Sequence, residues 1–300
     1  MGADTVAVTA GRTDWATFRW SDRPDVWADQ VTERISDPFA EVVRTVGNGR
    51  RTVAVVDVLA ERLLQQNPSL AAADAWGERS NLRPSTAALV SGEAGDRLVT
   101  MVEYLLSNYS IDGINLTELD FYEFGYSEPD LDSYRSATGA SDWPRRRDGS
   151  VNIDDPSIGT WRSGQVAAVV SRVAEVTRRH NAQLLVDVRL SWSDLSRRGR
   201  EFGQDYGTLL TVADKLVLWY LPGLPGHPEN VDRLFGMLAG HDRSRYVLSV
   251  GLWSDTEASV PDRLVGSVRA AEAAGLGGTW ITPFGLLDEN MLAAVREAWT

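Results

Sequence analysis

The sequence predicts an α/β fold, a (β/α)8-type TIM barrel that is incomplete or irregular at its N-terminal unit. Seven apolar runs rich in β-branched residues recur along the 300 residues, stretches of helical period separate them, and no low-complexity linker divides the chain. Strands that alternate with helices pair in parallel through right-handed crossovers, and repeated β/α units favour a closed barrel over an open sheet. Barrels of this kind fill about 250 residues or more as one unit. A single domain over 1–300 is therefore expected.

In chain order the strands are expected at 5–10 (TVAVTA), 52–59 (TVAVVDVL), 113–119 (GINLTEL), 182–190 (AQLLVDVRL), 215–220 (KLVLWY), 245–253 (RYVLSVGLW) and 278–284 (GTWITPF). Helices are expected near 38–47, 93–108, 162–180, 205–213, 229–239, 261–274 and 288–299. An eighth strand is not evident. Either it lies within 11–30 or the barrel lacks one unit. Two connections are long, 61–92 and 120–159, and both follow the C-terminal end of a strand, the face on which barrel enzymes build their sites.

Composition narrows the function classes. Hydrophobic residues make up 43% and charged residues 24%, a globular profile, and no apolar run reaches the roughly 18 residues of a membrane span. The net charge is −12, which disfavours nucleic acid and anionic headgroups as partners. The one dense basic run, Arg145-Arg146-Arg147, precedes Asp148 and reads as a solvated turn. Cysteine is absent, and His180, His227 and His241 share no metal-ligand spacing, so no metal site is expected. No Gly-x-Gly-x-x-Gly follows a strand, and GLGG at 275–278 precedes one, so no cofactor is expected. The opening MGADTVAVTAGR has neither a basic start nor an apolar core, so no secretory signal is expected. Lys215 is the only lysine among 30 basic residues, a bias that points to a GC-rich genome.

Strand parity separates helix-facing from axis-facing residues. Ile114 and Leu116 face the helices, which turns Asn115 and Thr117 inward; Leu184, Val186 and Val188 face out, which turns Asp187 and Arg189 inward. By the same reasoning Asp57, Ser249, Gly251 and Trp253 point in, and Trp280 shares a face with Thr282. Two readings stay open for Asp57, Asp187 and Arg189: a polar pocket at the mouth, or a buried ion-pair network that plugs it. Trp192, Trp219, Trp253 and Trp280 fall at or just past strand ends, and Trp76 and Trp143 fall in the two long loops. Indole faces beside carboxylates and a guanidinium suit sugar rings; the plainer alternative is packing under the loops.

Residues 109–126 (YSIDGINLTELDFYEFGY) resemble the family-ten-like glycosyl hydrolases, as do NPSLAAADAWGERSNLRPS, QLLVDVRLSW and DKLVLWYLPGL, in the same order over about 50–290. The resemblance implies a sugar-cleaving barrel with acids at the end of the 113–119 strand. Where that family tends to have two adjacent acids, this chain has Thr117-Glu118, so only Glu118 carries over, and parity puts Glu118 on the helix-facing side unless the strand end turns it. The chain also resembles tail-associated proteins of actinobacterial phages in its GRTDWATFRW, DWPR, DPSIG and VLW segments. That likeness implies a minor tail protein in the virion tail, present in several copies beside other tail-tip proteins; the alternative is a cytoplasmic or exported hydrolase.

Glycoside hydrolysis needs one protonated carboxyl and a second that attacks or activates water. The candidate acid is Glu118, with Asp120 in reserve; the second carboxylate is Asp187, with Asp57 next. Arg189 is expected to hold Asp187 ionised. Asn115, Thr117, Trp192, Trp219, Tyr220, Trp253 and Trp280 would line the subsites for a cell-envelope polysaccharide. The competing reading is a structural subunit that inherited the barrel without its chemistry.

Overall fold

The computed structural model describes residues 2–28, 31, 37–46, 49–121, 123–192, 194–195, 199–222, 231–253 and 260–299. In chain order its elements are β1 Thr5–Arg12, β2 Trp15–Ala16, α1 Pro38–Val46, β3 Arg51–Asp57, α2 Glu61–Gln66, β4 Ala71–Ala73, β5 Arg79–Pro84, α3 Thr86–Val90, α4 Glu93–Asn108, β6 Gly113–Thr117, α5 Glu128–Thr138, α6 Pro156–Arg179, β7 Gln183–Val188, α7 Tyr206–Leu209, β8 Lys215–Tyr220, α8 Asp232–Met237, β9 Tyr246–Gly251, α9 Val260–Ala273, β10 Thr279–Thr282 and α10 Glu289–Ala298. Eight strands form one curled sheet in the order β10-β9-β8-β7-β6-β3-β1-β2, parallel throughout except for the short β1-β2 hairpin.

Each parallel strand buries two unlike faces. The outer face carries Val8, Ala54, Val56, Ile114, Leu116, Leu184, Val186, Leu216, Leu218, Leu248 and Val250, which pack against Leu98, Met101 and Leu105 of α4 and Val166, Val169 and Val173 of α6. The inner face closes low in the barrel on a small apolar layer of Val53, Leu185, Val217 and Val247, with Trp280 against it. Above that layer the inward positions turn polar, through Asn115 and Ser249 to Asp57, Thr117 and Asp187.

The eighth strand of the sheet is not a further β/α unit. Beyond the end of β1, the only strand in the described residues 13–28 is the two-residue β2, which folds back on β1 through Gly11↔Ala16 and Arg12↔Trp15. Gly11, at φ +126°, allows that reversal, because a Cβ there would collide with the Trp15 carbonyl. The rest of the segment covers helices. Phe18 stacks on Trp20 and Tyr104, with ring centroids 6.1 and 5.7 Å apart, and stands edge-on to Tyr109. Among the described residues β10 and β1 are therefore the two unjoined margins of the parallel array, and a seam separates them.

The long connections hold structure that their composition did not announce. Residues 61–92 contain α2, the β4-β5 hairpin and α3, and 120–159 contain α5. One buried carboxylate ties them together: Asp130 accepts from the Thr86 amide at 2.9 Å, the Thr86 hydroxyl and the capping hydroxyl of Ser127. α6 starts at Pro156 rather than 162, because Asp155 caps it and proline suits the first helical turn. Arg145 and Arg146 lie in an exposed turn, paired with Asp142 and Asp154. No helix among the described residues is long and apolar enough to cross a membrane.

Gly95 sits in the first turn of α4, where a methyl group would strike the Leu89 carbonyl and the Arg172 guanidinium. Glycine to alanine inside a helix ordinarily stabilises by about 0.5–1 kcal/mol. Here Gly95→Ala is expected to destabilise by about 1–3 kcal/mol from overpacking, read from urea unfolding; a gain in stability would refute the contact.

Candidate functional site

The strands are parallel, so the ends of β1, β3, β6, β7, β8 and β9 share one mouth. Glu118 follows β6 with φ at +61°, a left-handed conformation that ends the strand and breaks its parity. The side chain therefore leaves the helix-facing side that alternation assigns it and meets two guanidinium groups. Arg189 Nη2 donates to both Glu118 oxygens at 2.9 and 2.8 Å, and Arg83 Nη2 donates to Oε2 at 3.1 Å. The same cations hold Asp120, whose Oδ2 lies 3.3 Å from Arg189 Nε and 3.4 Å from Arg83 Nη2. Arg83 also braces the loop by donating from Nη1 to the carbonyls of Glu118 and Asp120. Burial pulls the Arg189 guanidinium down, and the charges of Glu118 and Asp120 outweigh that and hold it above its ordinary value.

Asp187 has a different environment. Its oxygens accept from Asn115 Nδ2 at 2.9 Å and from the Trp219 indole N–H at 2.8 Å. Burial pushes the carboxyl up to about 6, against the pull of the Asn115, Trp219 and Thr117 donors and of the Arg189 charge. Arg189 favours the ionised form of Asp187 as expected, but its guanidinium is committed to Glu118 and Asp120, and desolvation of Asp187 sets the net direction. Asn115 is itself 1% exposed, and its Oδ1 finds no hydrogen-bond partner among the described residues.

Asp57 pairs with Arg12 (3.2 Å) and accepts from the Leu59 amide (2.7 Å). Burial raises it, the Leu59 amide and Arg12 lower it, and the negative charge of Glu118 adds to the rise. The plugging network of Asp57, Asp187 and Arg189 is thus not the arrangement observed; each member has its own partner. Asp57 and Asp187 end strands on either side of β6, two interstrand spacings or roughly 10 Å apart at the backbone.

The indoles divide. Trp219 and Trp253 stack at the mouth, with centroids 6.2 Å and planes 16° apart, and Trp253 is 41% exposed. Arg189 lies over the Trp219 ring, 4.5 Å from its centroid. The others are elsewhere, for identifiable reasons. Trp280 is level in register with Ser249 and Trp219, but its indole packs down against the inner apolar layer and not at the mouth. Tyr220 occupies an outward position of β8, wholly buried in the helix-facing core, and Trp192 meets it edge-on, so neither lines the mouth. Trp76 stands 83% exposed in the β4-β5 turn, and Trp143 is buried with Tyr126, Tyr134 and Trp161.

Three contributors escaped strand parity: Arg83 on β5, Arg12 at the end of β1 and Gln204. Gln204 accepts from the Arg189 amide at 2.8 Å and donates to the carbonyls of Leu119 (2.9 Å) and Asp187 (3.0 Å), fixing three mouth segments to one another. Of the histidines, His180 bonds Glu103 on the helical layer, His241 packs edge-on to Tyr246, and His227 lies outside the described residues. Among the described residues no group of three His, Cys, Asp or Glu side chains could hold a metal ion.

No family model matches the chain, and no curated relative does. Solved structures do. The glycoside hydrolase domain of PgaB (BpsB) from Bordetella bronchiseptica superposes with a TM-score of 0.66 at 13% identity, covering 98% of this chain and 86% of that one. The C-terminal domain of a putative chitinase from Desulfitobacterium hafniense gives 0.59 at 13% identity over 99% and 89%. A chitinase from Chromobacterium violaceum gives 0.55 at 12% identity over 98% and 91%. At these identities the likeness shows the fold: a TIM-barrel-like α/β architecture shared with glycoside hydrolases.

Two measurements test the site. Arg83→Gln leaves two half-buried carboxylates short of a partner and is expected to cost about 2 kcal/mol, while Arg146→Gln, at an exposed pair, costs under about 0.5 kcal/mol in the same denaturation assay. Asp187, raised from 3.8 to about 6 in the folded chain, binds a proton more tightly there than when unfolded. Its contribution to stability is therefore lost as pH rises from about 4 to about 6. The stability of Asp187→Asn relative to the unaltered chain should climb by roughly 2 kcal/mol between pH 4 and 7, and a flat difference would contradict the burial.

Proposed function

We propose that this chain is a glycoside-hydrolase-like barrel that binds cell-envelope polysaccharide at its C-terminal mouth. The observation that carries the reading is the stacked Trp219–Trp253 pair, one face of it open to solvent, set beside Arg189 and the acids it holds. Indole faces receive the C–H faces of sugar rings, and the charged rim supplies hydrogen bonds to their hydroxyls. The shared fold with solved glycoside hydrolases supports a carbohydrate ligand. Binding ranks ahead of cleavage because both oxygens of Glu118 and Oδ2 of Asp120, the acids at the strand end, are held by Arg83 and Arg189.

Cleavage is the second reading, and the raised Asp187 favours it. A carboxyl that titrates near 6 can protonate a leaving oxygen in mildly acidic solution. Asp57 would then serve as the base. Inverting enzymes place a water between carboxyl groups about 6.5–9.5 Å apart, and Asp57 and Asp187 end strands two interstrand spacings from each other. The sequence resemblance to phage tail proteins supports a setting in the virion tail, in several copies beside other tail-tip proteins, where weak single sites would sum to firm attachment.

The test is sedimentation of the protein with mycobacterial-type arabinogalactan and other envelope glycans, together with an assay for new reducing ends. Trp253→Ala should weaken binding about tenfold while leaving the fold intact, on the scale of one lost stacking contact. New reducing ends that vanish in Asp187→Asn would establish cleavage; binding without them establishes the non-catalytic barrel. Absence of binding to every glycan would overturn the proposal.

A further inference from the structure

The opposite end of the barrel holds a cavity of about 460 Å³ where the first residues of β1, β3, β7, β8 and β10 converge. In a complete barrel, layers of inward side chains fill this region. Here the seam between β10 and β1 leaves it open, and its size is within the range of small-molecule sites.

Its lining is ordered by depth. The inner wall is apolar: Val53, Leu185 and Val247, with the indole of Trp280 alongside. The rim, one inward position nearer the strand starts, carries two cations. Arg51 reaches past the side-chain-free Gly113 to donate to Gln183 Oε1 at 3.2 Å; Gly113 is needed there because a Cβ would press on the Gln183 carbonyl. Lys215, the chain's single lysine, donates to the Gly277 carbonyl at 3.1 Å. Burial lowers the Lys215 ammonium and the nearby Arg51 charge lowers it further, while Asp4 opposes both. Neither cation forms an ion pair among the described residues. Each keeps N–H donors beyond the single side-chain bond it makes. Asp4 and Glu272 stand on the same lining, so the rim is not uniformly positive and disfavours a multiply charged anion.

We infer that the N-terminal end of the barrel is a second binding site, for a small monoanion with an apolar body, such as an aromatic or short-chain carboxylate. The carboxylate lies between Arg51 and Lys215, where it relieves their mutual repulsion, and the body enters the space bounded by Val53, Leu185, Val247 and Trp280. The site is separate from the sugar-binding mouth and does not depend on that assignment.

The experiment is calorimetric titration and saturation-transfer NMR of the whole chain with benzoate, hexanoate, benzyl alcohol and inorganic phosphate. Saturable binding of benzoate or hexanoate is expected, with benzyl alcohol and phosphate each about tenfold weaker or worse. Arg51→Gln and Lys215→Gln should each weaken the carboxylate about tenfold, and Lys215→Arg should retain it. No saturable binding of either carboxylate overturns the inference. So does equal binding of benzyl alcohol, tighter binding of phosphate, or an unchanged Kd in both cation variants. Should Lys215→Gln fail to fold, the exposed Arg51 and the comparison of benzoate with benzyl alcohol on the unaltered chain decide the matter.

Discussion

A single guanidinium organises the mouth. Arg189 leaves the end of β7 with its edge turned to Glu118 and Asp120 and its face laid over Trp219. Only a planar, permanently charged group can pair two carboxylates along its rim while covering an indole with its plane; an ammonium would satisfy one demand at a time. The covered indole is then fixed on both sides. Its N–H is bound to Asp187 and its other partner is Trp253. The Arg189 backbone is fixed as well, its amide donating to Gln204 and its carbonyl accepting from the Tyr206 hydroxyl. The 199–206 segment thus sets the position of the cation, and the cation sets the acids and the stacked rings.

The unclosed seam makes the two ends of the barrel unlike. At the strand ends, long connections compensate: the β4-β5 hairpin supplies Arg83, and Asp130 fastens the second loop to the first through Thr86. At the strand starts none of the described residues covers the interior comparably, so the inward layer there ends in charged side chains around a cavity. The residues that in a regular barrel would contribute a further unit instead wrap the helical layer with Phe18 and Trp20. Aromatic burial outside the sheet has replaced strand pairing within it.

The outer face of the sheet was legible because period-two alternation has one physical cause, burial against helices, and every β-branched run obeyed it. Asn115, Thr117 and Asp187 were found inward on that basis alone. Glu118 was not, since a positive φ at a residue other than glycine has no signature in the pattern of apolar residues. Arg83 was invisible for another reason: its strand is a short hairpin edge whose residues NLRP alternate with nothing, and only the tertiary fold brings it to the acids. The indoles misled where position along a strand was read as height in the barrel. Trp280 is level with Trp219 in register yet packs toward the strand starts, and Tyr220 follows an outward parity that its position at the end of β8 hid.

The electrostatics of the mouth separate its acids into two kinds. Glu118 and Asp120 share two cations in a closed set of ion pairs, so a ligand can hydrogen-bond to their outer lone pairs only without displacing that set. Asp187 is compensated by neutral donors, which stabilise a carboxylate less than a paired cation would and leave its proton exchangeable near 6. A mouth built this way presents fixed charge for recognition around one deep group whose charge can change. The fixed set suits recognition without chemistry, and the deep group, bonded to Trp219 behind the solvent-open Trp253, is where chemistry would have to occur.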